Sequence, residues 1–599
     1  MPLIRIQDFS GVVPVKGDRA LPEGFATKSF NTWLYGSELR GMRPPEDLIA
    51  VAAGTRRVMR IPKRTVGGDP NYPTSIPPPS YLGDSTWVQF DDIDTDILKG
   101  QLVEDQFERW YFCSPTTGPM YNTYARLVAG SPMLKLGVPG PATNTEGTNA
   151  DKPTIVSITG GAAPMVTRAY VYTWVNEYGE ESPPSLPVIG AGNANAVWTI
   201  GNIKDPVVLP NYATYTKKRV YRTITGASGQ TTYFRVTEML IPPTGVLTYA
   251  DDTAVMTDAI LANNLQLEST SWQPPPATLK GWVAMPNGFL IGFDGANLYF
   301  SESYHWHAWP PEYRQAVETP VVGLGVLGQT CVVCTQGYPS TVAGIKPATC
   351  SFTKVTTGEP CLSRGSIVST PDGVLYASQN GLMIAGGGGI QNITESLITR
   401  DEWIREYAPQ FIRAQRYQNG YLAMRMPPSP NVRSGFFLDP TSLKVALTEF
   451  TDFENIVSLN VDFWSGEVLP LRQGMVMHWD PALIFATGLP NNKLMPVQWR
   501  SRELQFPFKE NFSCYAVYWD DDRYSNANYG LSIMPTTEHV RFRAFANRQL
   551  VYDQIVPFNG KGVRLPSGFK SDIWQFEICA RAPVYSLHVA STMKELKSA

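Results

Sequence analysis

The chain has 599 residues, which at roughly 150 per domain corresponds to about four domain equivalents and exceeds one ordinary core. Its residues are 43% hydrophobic and only 17% charged, and its 50 glycines and 50 prolines interrupt it too often for long helices, which excludes a helical bundle. Fifty Lys and Arg against 53 Asp and Glu leave a formal charge of -3, so there is no global cationic field of the kind a dedicated nucleic-acid binder needs.

No apolar run reaches the roughly 18 to 20 residues of a membrane-spanning helix, and the opening MPLIRIQDFSGVVPVKG lacks a basic segment followed by an apolar one. These features predict a soluble chain without a secretory leader. Seven scattered cysteines (Cys113, Cys331, Cys334, Cys350, Cys361, Cys514 and Cys579) predict reduced thiols in a cytoplasmically made protein rather than a disulfide framework.

In chain order, residues 1–140 carry hairpin strands, STWVQF, ERWYFCS and TGPMYNTYARL, expected to supply the first blade or blades of a β-propeller. Within this segment DDIDTD (Asp91, Asp92, Asp94, Asp96) begins like a calcium loop. Ile97 stands where such a loop needs Gly, and Val103 where it needs its bidentate Glu, so no metal site is assigned.

After a Pro/Gly/Asn/Thr linker, residues 151–267 change register. RAYVYTWVNEYGEESPPS and KKRVYRTITGASGQTTYFRV read as two hairpins, the second turning at GASG, and VLTYADD closes the segment. About 115 residues of this kind suit one fibronectin-III-like β-sandwich, inserted into the propeller and followed by the stiff Pro-rich WQPPPA. Lys217, Lys218 and Arg219 on one hairpin and Glu177, Glu180 and Glu181 on the other either pair between subunits, as an assembly interface, or form a solvated face.

Residues 275–520 show a recurring glycine turn followed by an alternating apolar strand: PNGFLIGF, LGQTCVVCT, PDGVLYAS, QNGYLAMR and WSGEVLPL. The markers Gly288, Gly328, Gly373, Gly420 and Gly466 are separated by 40, 45, 47 and 46 residues, close to the roughly 40–45 residues of a four-stranded propeller blade. A further step lands on NFSCYAVYW, giving about six units. His305 and His307 in YHWHAW would share a face if extended, but among Tyr304, Trp306 and Trp309 they read as aromatic packing. Cys331 and Cys334 form a CxxC with no second pair to make a zinc site. AGGGGIQN lacks the Lys-Ser/Thr ending of a phosphate loop and reads as a tight turn, and ITRDEWIREY as a short helix between blades with Asp401 as its N-cap. Residues 521–599 are strands expected to complete the propeller, and Asp520, Asp521 and Asp522 in WDDDRY read as a solvated turn. No catalytic, cofactor-binding or metal residue is assigned, and the chain reads as a non-enzyme.

Four stretches carry a resemblance to a known family: IQDFSGVVPVKGDRALPEGFATKSFNTWLYGSELRGMRPP, YTWVNEYGEESPPS, LYFSESYHWHAWPPEY and RLPSGFKSDIWQFEICARAPVYSLHVASTMKEL. In this order they resemble the tail nozzle proteins, or tail tubular protein B, of short-tailed bacteriophages (podoviruses). The resemblance implies a structural virion protein made in the bacterial host cytoplasm. It implies a homo-hexameric tube in the virion tail, docked on the adaptor ring below the portal and flanked by tail fibres or spikes. Genomic DNA would be retained and then conducted through the lumen without sequence-specific binding, and no cofactor is implied. The alternative is an exterior phage propeller that binds or cleaves host-surface glycans, with Trp306 and Trp309 as sugar platforms.

Overall fold

The computed structural model describes residues 3–34, 38–63, 85–141, 151–162, 164–206, 208–223, 232–241, 245, 247–252, 265–355, 359–426, 435–440, 446–450, 456–481, 494–519, 540–566 and 568–598. The protein is all-β, with short helical turns such as Tyr124–Val128 and Met593–Lys597. It forms two compact units, one of Met1–Ile93, Cys334–Ser340 and Lys354–Ala599, the other of Asp94–Val333 and Thr341–Thr353.

The second unit contains blade 1 (Asp96–Lys99, Trp110–Ser114, Gly118–Asn122, Leu134–Lys135) and blade 2 (Gly281–Ala284, Leu290–Asp294, Asn297–Phe300, Gln315–Ala316). In both, each strand pairs with the next in sequence, the order of a propeller blade. Blade 3 (Val321–Leu327, Thr330–Thr335, Ser340–Ala343, Ser351–Lys354) repeats it where the chain passes between units. Phe289, Ile291, Phe293, Phe300, Cys331 and Val333 share one buried cluster, and large side chains of this kind contribute about 1.5–3 kcal/mol each on burial.

The first unit holds blade 4 (Val368–Ser369, Val374–Ala377, Leu382–Gly386, Gly389–Asn392) and blade 5 (Ile412–Tyr417, Gly420–Arg425, Gly435–Leu438, Leu447–Phe450). Blade 6 joins Ile456–Val461, Val468–Arg472 and Met475–His478 to Glu46–Ala50, a strand from the N-terminal segment. The propeller is thus built from discontinuous segments, as expected.

All five glycine markers fall at the first hairpin of successive blades 2 to 6. The physical reason differs between them. Gly288, Gly328 and Gly466 adopt φ of 85°, 55° and 73°, which L-residues disfavour. At blade 5 the left-handed position belongs to Gln418, with φ 52°, and Gly420 is small because a Cβ there would lie 2.2 Å from the Phe437 ring.

The inserted segment is a β-sandwich of three strands (Thr154–Thr159, Val197–Ile203, Leu247–Asp251) on four (Val188–Asn193, Met165–Asn176, Tyr215–Thr223, Tyr233–Leu240). Its core is Tyr170, Tyr172, Trp174, Trp198, Ile200, Ile203 and Val220. The exit residue Asp251 is fully buried, accepting hydrogen bonds from Tyr170 Oη at 2.7 Å and Arg222 Nη1 at 2.6 Å. The GASG turn lies outside the described residues, as do WDDDRY from Asp520 on and most of the linker before the sandwich.

Three expectations need correction. The C-terminal strands add no four-stranded blade of their own: Val497–Ser501, Ser571–Ala580, Val540–Ala546 and Gln549–Ile555 continue through Ala26–Phe30, which pairs in parallel with Leu447–Phe450 at Phe30↔Glu449, into the sheet of blade 5. A second sheet of Leu3–Ile6, Val584–Ala590, Cys514–Trp519 and Val563–Arg564 shares its core, with the Tyr515 and Phe542 rings stacked at 4.1 Å. NFSCYAVYW therefore supplies a strand of this sandwich rather than a sixth repeat. Residues 1–140 supply blade 1 together with strands of other sheets: Glu46–Ala50 joins blade 6, and STWVQF pairs with Arg57–Pro62. Alternation places one face inward but does not choose the partner strand. Finally, the helical turn Arg400–Glu402 is capped by Thr399, whose Oγ1 accepts from Glu402 N at 3.3 Å, while Asp401 sits in the first turn. A π-helical turn, Trp403–Tyr407, follows, with the Trp403 and Tyr407 rings stacked at 5.6 Å in the core.

Candidate functional site

A buried polar cluster of the second unit is built by three loops. In the loop entering the second strand of blade 1, Asp105 accepts from the backbone N–H of Phe107 at 3.2 Å and of Arg109 at 3.0 Å, a local turn that aims the Arg109 side chain. Arg109 then donates from Nε to Asp105 Oδ2 at 2.9 Å and from Nη1 to Glu180 Oε1 at 2.6 Å. Glu180 comes from the sandwich turn, where Asn176 Oδ1 accepts from the N–H groups of Tyr178 and Glu180 and Asn176 Nδ2 donates to Glu180 Oε2 at 2.8 Å. His307, from blade 2, is buried with Nδ1 3.8 Å from Glu180 Oε1.

Burial and charge act on Arg109, His307 and the neighbouring tyrosines. Burial alone would lower Arg109, but Tyr111, Glu180 and Asp105 outweigh it and hold the guanidinium above its ordinary pKa. Burial pulls His307 down to about 4, opposed by Glu180, so the imidazole is neutral near pH 7. Burial raises Tyr111 and Tyr121. The adjoining cleft, lined by Gly100, Asp105, Tyr111, Tyr304 and Trp306, has room for about one water. Such an arrangement clamps three loops together.

The charges expected to form an assembly interface are spent within the chain. Lys218 is fully buried, its Nζ donating to the carbonyls of Ile203 at 3.0 Å and Gly245 at 3.1 Å and pairing with Asp205 at 2.5 Å. Arg219 bridges Glu181 at 2.6 Å and Glu238 at 2.8 Å, Lys217 reaches Glu238 at 2.9 Å, and Tyr221 Oη donates to Glu181 at 2.6 Å. Glu177 accepts from Thr214 N at 3.1 Å. Within the chain, then, each of the six residues has a partner of its own, and Lys218 is enclosed by the sandwich. Strand pairing sets Glu238 opposite Arg219, and Asp205 and Arg109 reach Lys218 and Glu180 from distant loops, partners to which the local sequence around each hairpin could not point.

The other sequence candidates are structural. His305 and His307 lie in a turn, with Tyr304 at φ 59° and the Trp272 ring 4.6 Å from His305 and 5.5 Å from His307. Trp306 and Trp309 are buried, their indoles donating to Gly288 O at 2.8 Å and Trp306 O at 2.9 Å, so neither presents a face to a sugar. WQPPPA is packed: Pro274 closes so tightly on Gly137 that a Cβ there would lie 2.7 Å away. Asp96 accepts from Trp282 N at 2.8 Å, and no metal-holding group of His, Cys, Asp or Glu occurs among the described residues. Gly389, at φ 101°, makes AGGGGIQN a tight hairpin turn. All seven cysteines are free, five of them buried.

Six buried carboxylates each meet arginine. They are Glu46 with Arg43, Asp462 with Arg60, Glu180 with Arg109, Asp251 with Arg222, Glu503 with Arg19 and Arg548, and Glu577 with Arg500 and Arg543. The polar interior is organised as arginine clamps.

No family model matches the chain, and no curated protein does. Among solved structures it is similar to the extracellular domain of a putative one-component system from B. thetaiotaomicron, at 12% identity over 61% of this chain and 44% of that one, with a TM-score of 0.25. The Dos1 propeller matches at 7% identity over 64% of this chain and 90% of that one, TM-score 0.25. YCF48 bound to D1 peptide matches at 13% identity over 58% and 99%, TM-score 0.24. The chain spans less than half the length of the first of these. With TM-scores this low, the blade architecture stands on the strand pairing itself.

Proposed function

We propose that the chain is a structural subunit of a short-tailed phage virion: a distal tail nozzle that assembles as a hexameric tube, extends the portal-adaptor channel, retains the packaged genome and conducts DNA during ejection. The observation that carries this reading is the set of arginine-clamped carboxylates, in which buried charge is used to fix loops and sheets. A tube wall that resists internal DNA pressure needs that rigidity, and the sequence resemblance at both ends and in the middle of the chain supplies the specific role. A conduit also gains from weak interaction with its cargo, because each neutralised phosphate adds affinity that slows passage; the formal charge of -3 fits this. In this reading the partners are further copies of the chain, the adaptor ring, and fibres or spikes, and the site of action is the virion tail. The glycan-active alternative loses its proposed platforms, since Trp306 and Trp309 are buried.

Gold-labelled antibody against the purified chain, applied to intact virions of the source phage, tests the assignment. Label at the tail tip is the expected result. Label on the capsid alone, or none on particles that contain the chain by mass spectrometry of denatured virions, would overturn it.

A further inference from the structure

The strand Leu504–Glu510 pairs with Ser571–Ala580 at Leu504↔Trp574 and Gln505↔Ile573, and again at Glu510↔Ser571. Four residues, 506 to 509, therefore stand opposite one, and the excess bulges from the sheet. Phe506 turns inward against Phe512, 5.6 Å away. Pro507, Phe508 and Lys509 turn outward, and the Phe508 side chain is 78% exposed.

The Glu510↔Ser571 pair brings a second Phe-Lys dipeptide, Phe569–Lys570, to the same end of the sheet, again exposed. Upstream on that connection, beside the Trp519 end of the strand Cys514–Trp519, Phe558 is 57% exposed, with the Lys561 ammonium 5.0 Å from its ring centre. Exposed Arg564 lies between, opposite Cys514. Among the described residues Lys509, Lys561, Arg564 and Lys570 have no ion-pair partner, unlike the clamped arginines of the interior. A chain without a global cationic field thus carries, from the bulge along this connection, exposed phenylalanines interspersed with four cations, against the two carboxylates Glu510 and Asp572 of the same segments.

We propose that this cluster is a docking surface for an anionic lipid headgroup layer, into which Phe508, Phe558 and Phe569 insert while the four cations meet the headgroup charges. Charge complementarity selects an anionic occupant. The rings project from loops and a bulge, so burying them needs a medium that deforms around convex side chains, as the headgroup and acyl boundary of a bilayer does. The proposal is independent of the tail assignment, and each can fail without the other.

Co-sedimentation of the full chain with phosphatidylglycerol/phosphatidylcholine vesicles, against vesicles of phosphatidylcholine alone, tests it. Binding to the anionic vesicles only is expected. The double variant Phe508→Ser/Phe569→Ser and the double variant Lys509→Gln/Lys570→Gln should each weaken binding about tenfold or more, the second also flattening its salt dependence. Should the serine variant melt early, the glutamine variant decides the outcome, since it preserves side-chain size at exposed positions. No sedimentation with anionic vesicles, or sedimentation that neither double variant changes, overturns the proposal. So does binding of a single-stranded oligonucleotide, read by anisotropy, that the variants abolish while vesicle binding persists; stacking on bases would then be the role of the rings.

Discussion

Glu180 shows how much one residue carries. It sits on a sandwich turn yet neutralises a guanidinium from blade 1 and faces His307 from blade 2. Removing one partner of a buried pair strands the other, at a cost of roughly 3–5 kcal/mol. Glu180→Ala should therefore lower unfolding free energy by about that amount in urea denaturation, whereas Glu177→Ala, at an exposed position, should change it by less than about 0.5 kcal/mol. His307 adds a pH dependence. Its folded pKa, about 4, lies below the ordinary value near 6.5, so the unfolded chain binds more protons between the two. Stability is full above about 6.5 and is lost as pH falls towards 4, by about 3 kcal/mol from this group. Glu180, His305, Arg109 and the Trp272 ring face it. Melting curves from pH 7 to 4 should show this loss, and His307→Phe should flatten it. The thiols behave in the same spirit: burial raises Cys350, and raises Cys579 to about 11, so fewer than three thiols should label rapidly in the native protein and all seven after denaturation.

At the scale of elements, the blade period was legible because each of blades 2 to 6 has a glycine at its first hairpin, although for different reasons. This separates two substitutions. Gly420→Ala places a Cβ 2.2 Å from the Phe437 ring, overpacking worth about 1–3 kcal/mol. Gly387→Ala, in a turn with nothing within 4 Å, should be neutral to within about 0.5 kcal/mol. Comparative denaturation of the two variants measures this. The sandwich was equally legible from its hairpins and its Tyr-x-Asp exit. Strand partners across long sequence distances were not. Leu3–Ile6 pairs with Val584–Ala590, and Glu46–Ala50 with Met475–His478, and nothing in the alternation of either member identifies the other. Lys218 was misread for a related reason: KKR looks like a charged surface, yet period two must turn one of the three inward, where backbone carbonyls and Asp205 receive it.

For the molecule as a whole, the sandwich is integrated into its unit. Ser269 Oγ donates to Ser182 O at 2.8 Å, and Glu180 holds Arg109. Deleting residues 151–267 leaves Arg109 without one of its two carboxylates, so the remaining second-unit blades should unfold earlier than in the full chain, as read by calorimetry. The proposed hexameric tube is the central claim, and negative-stain electron microscopy of the purified 66.3 kDa chain tests it most directly. Closed six-fold rings with an axial channel wide enough for duplex DNA are predicted; a population of single chains at micromolar concentration, or rings without an open axis, would contradict the account.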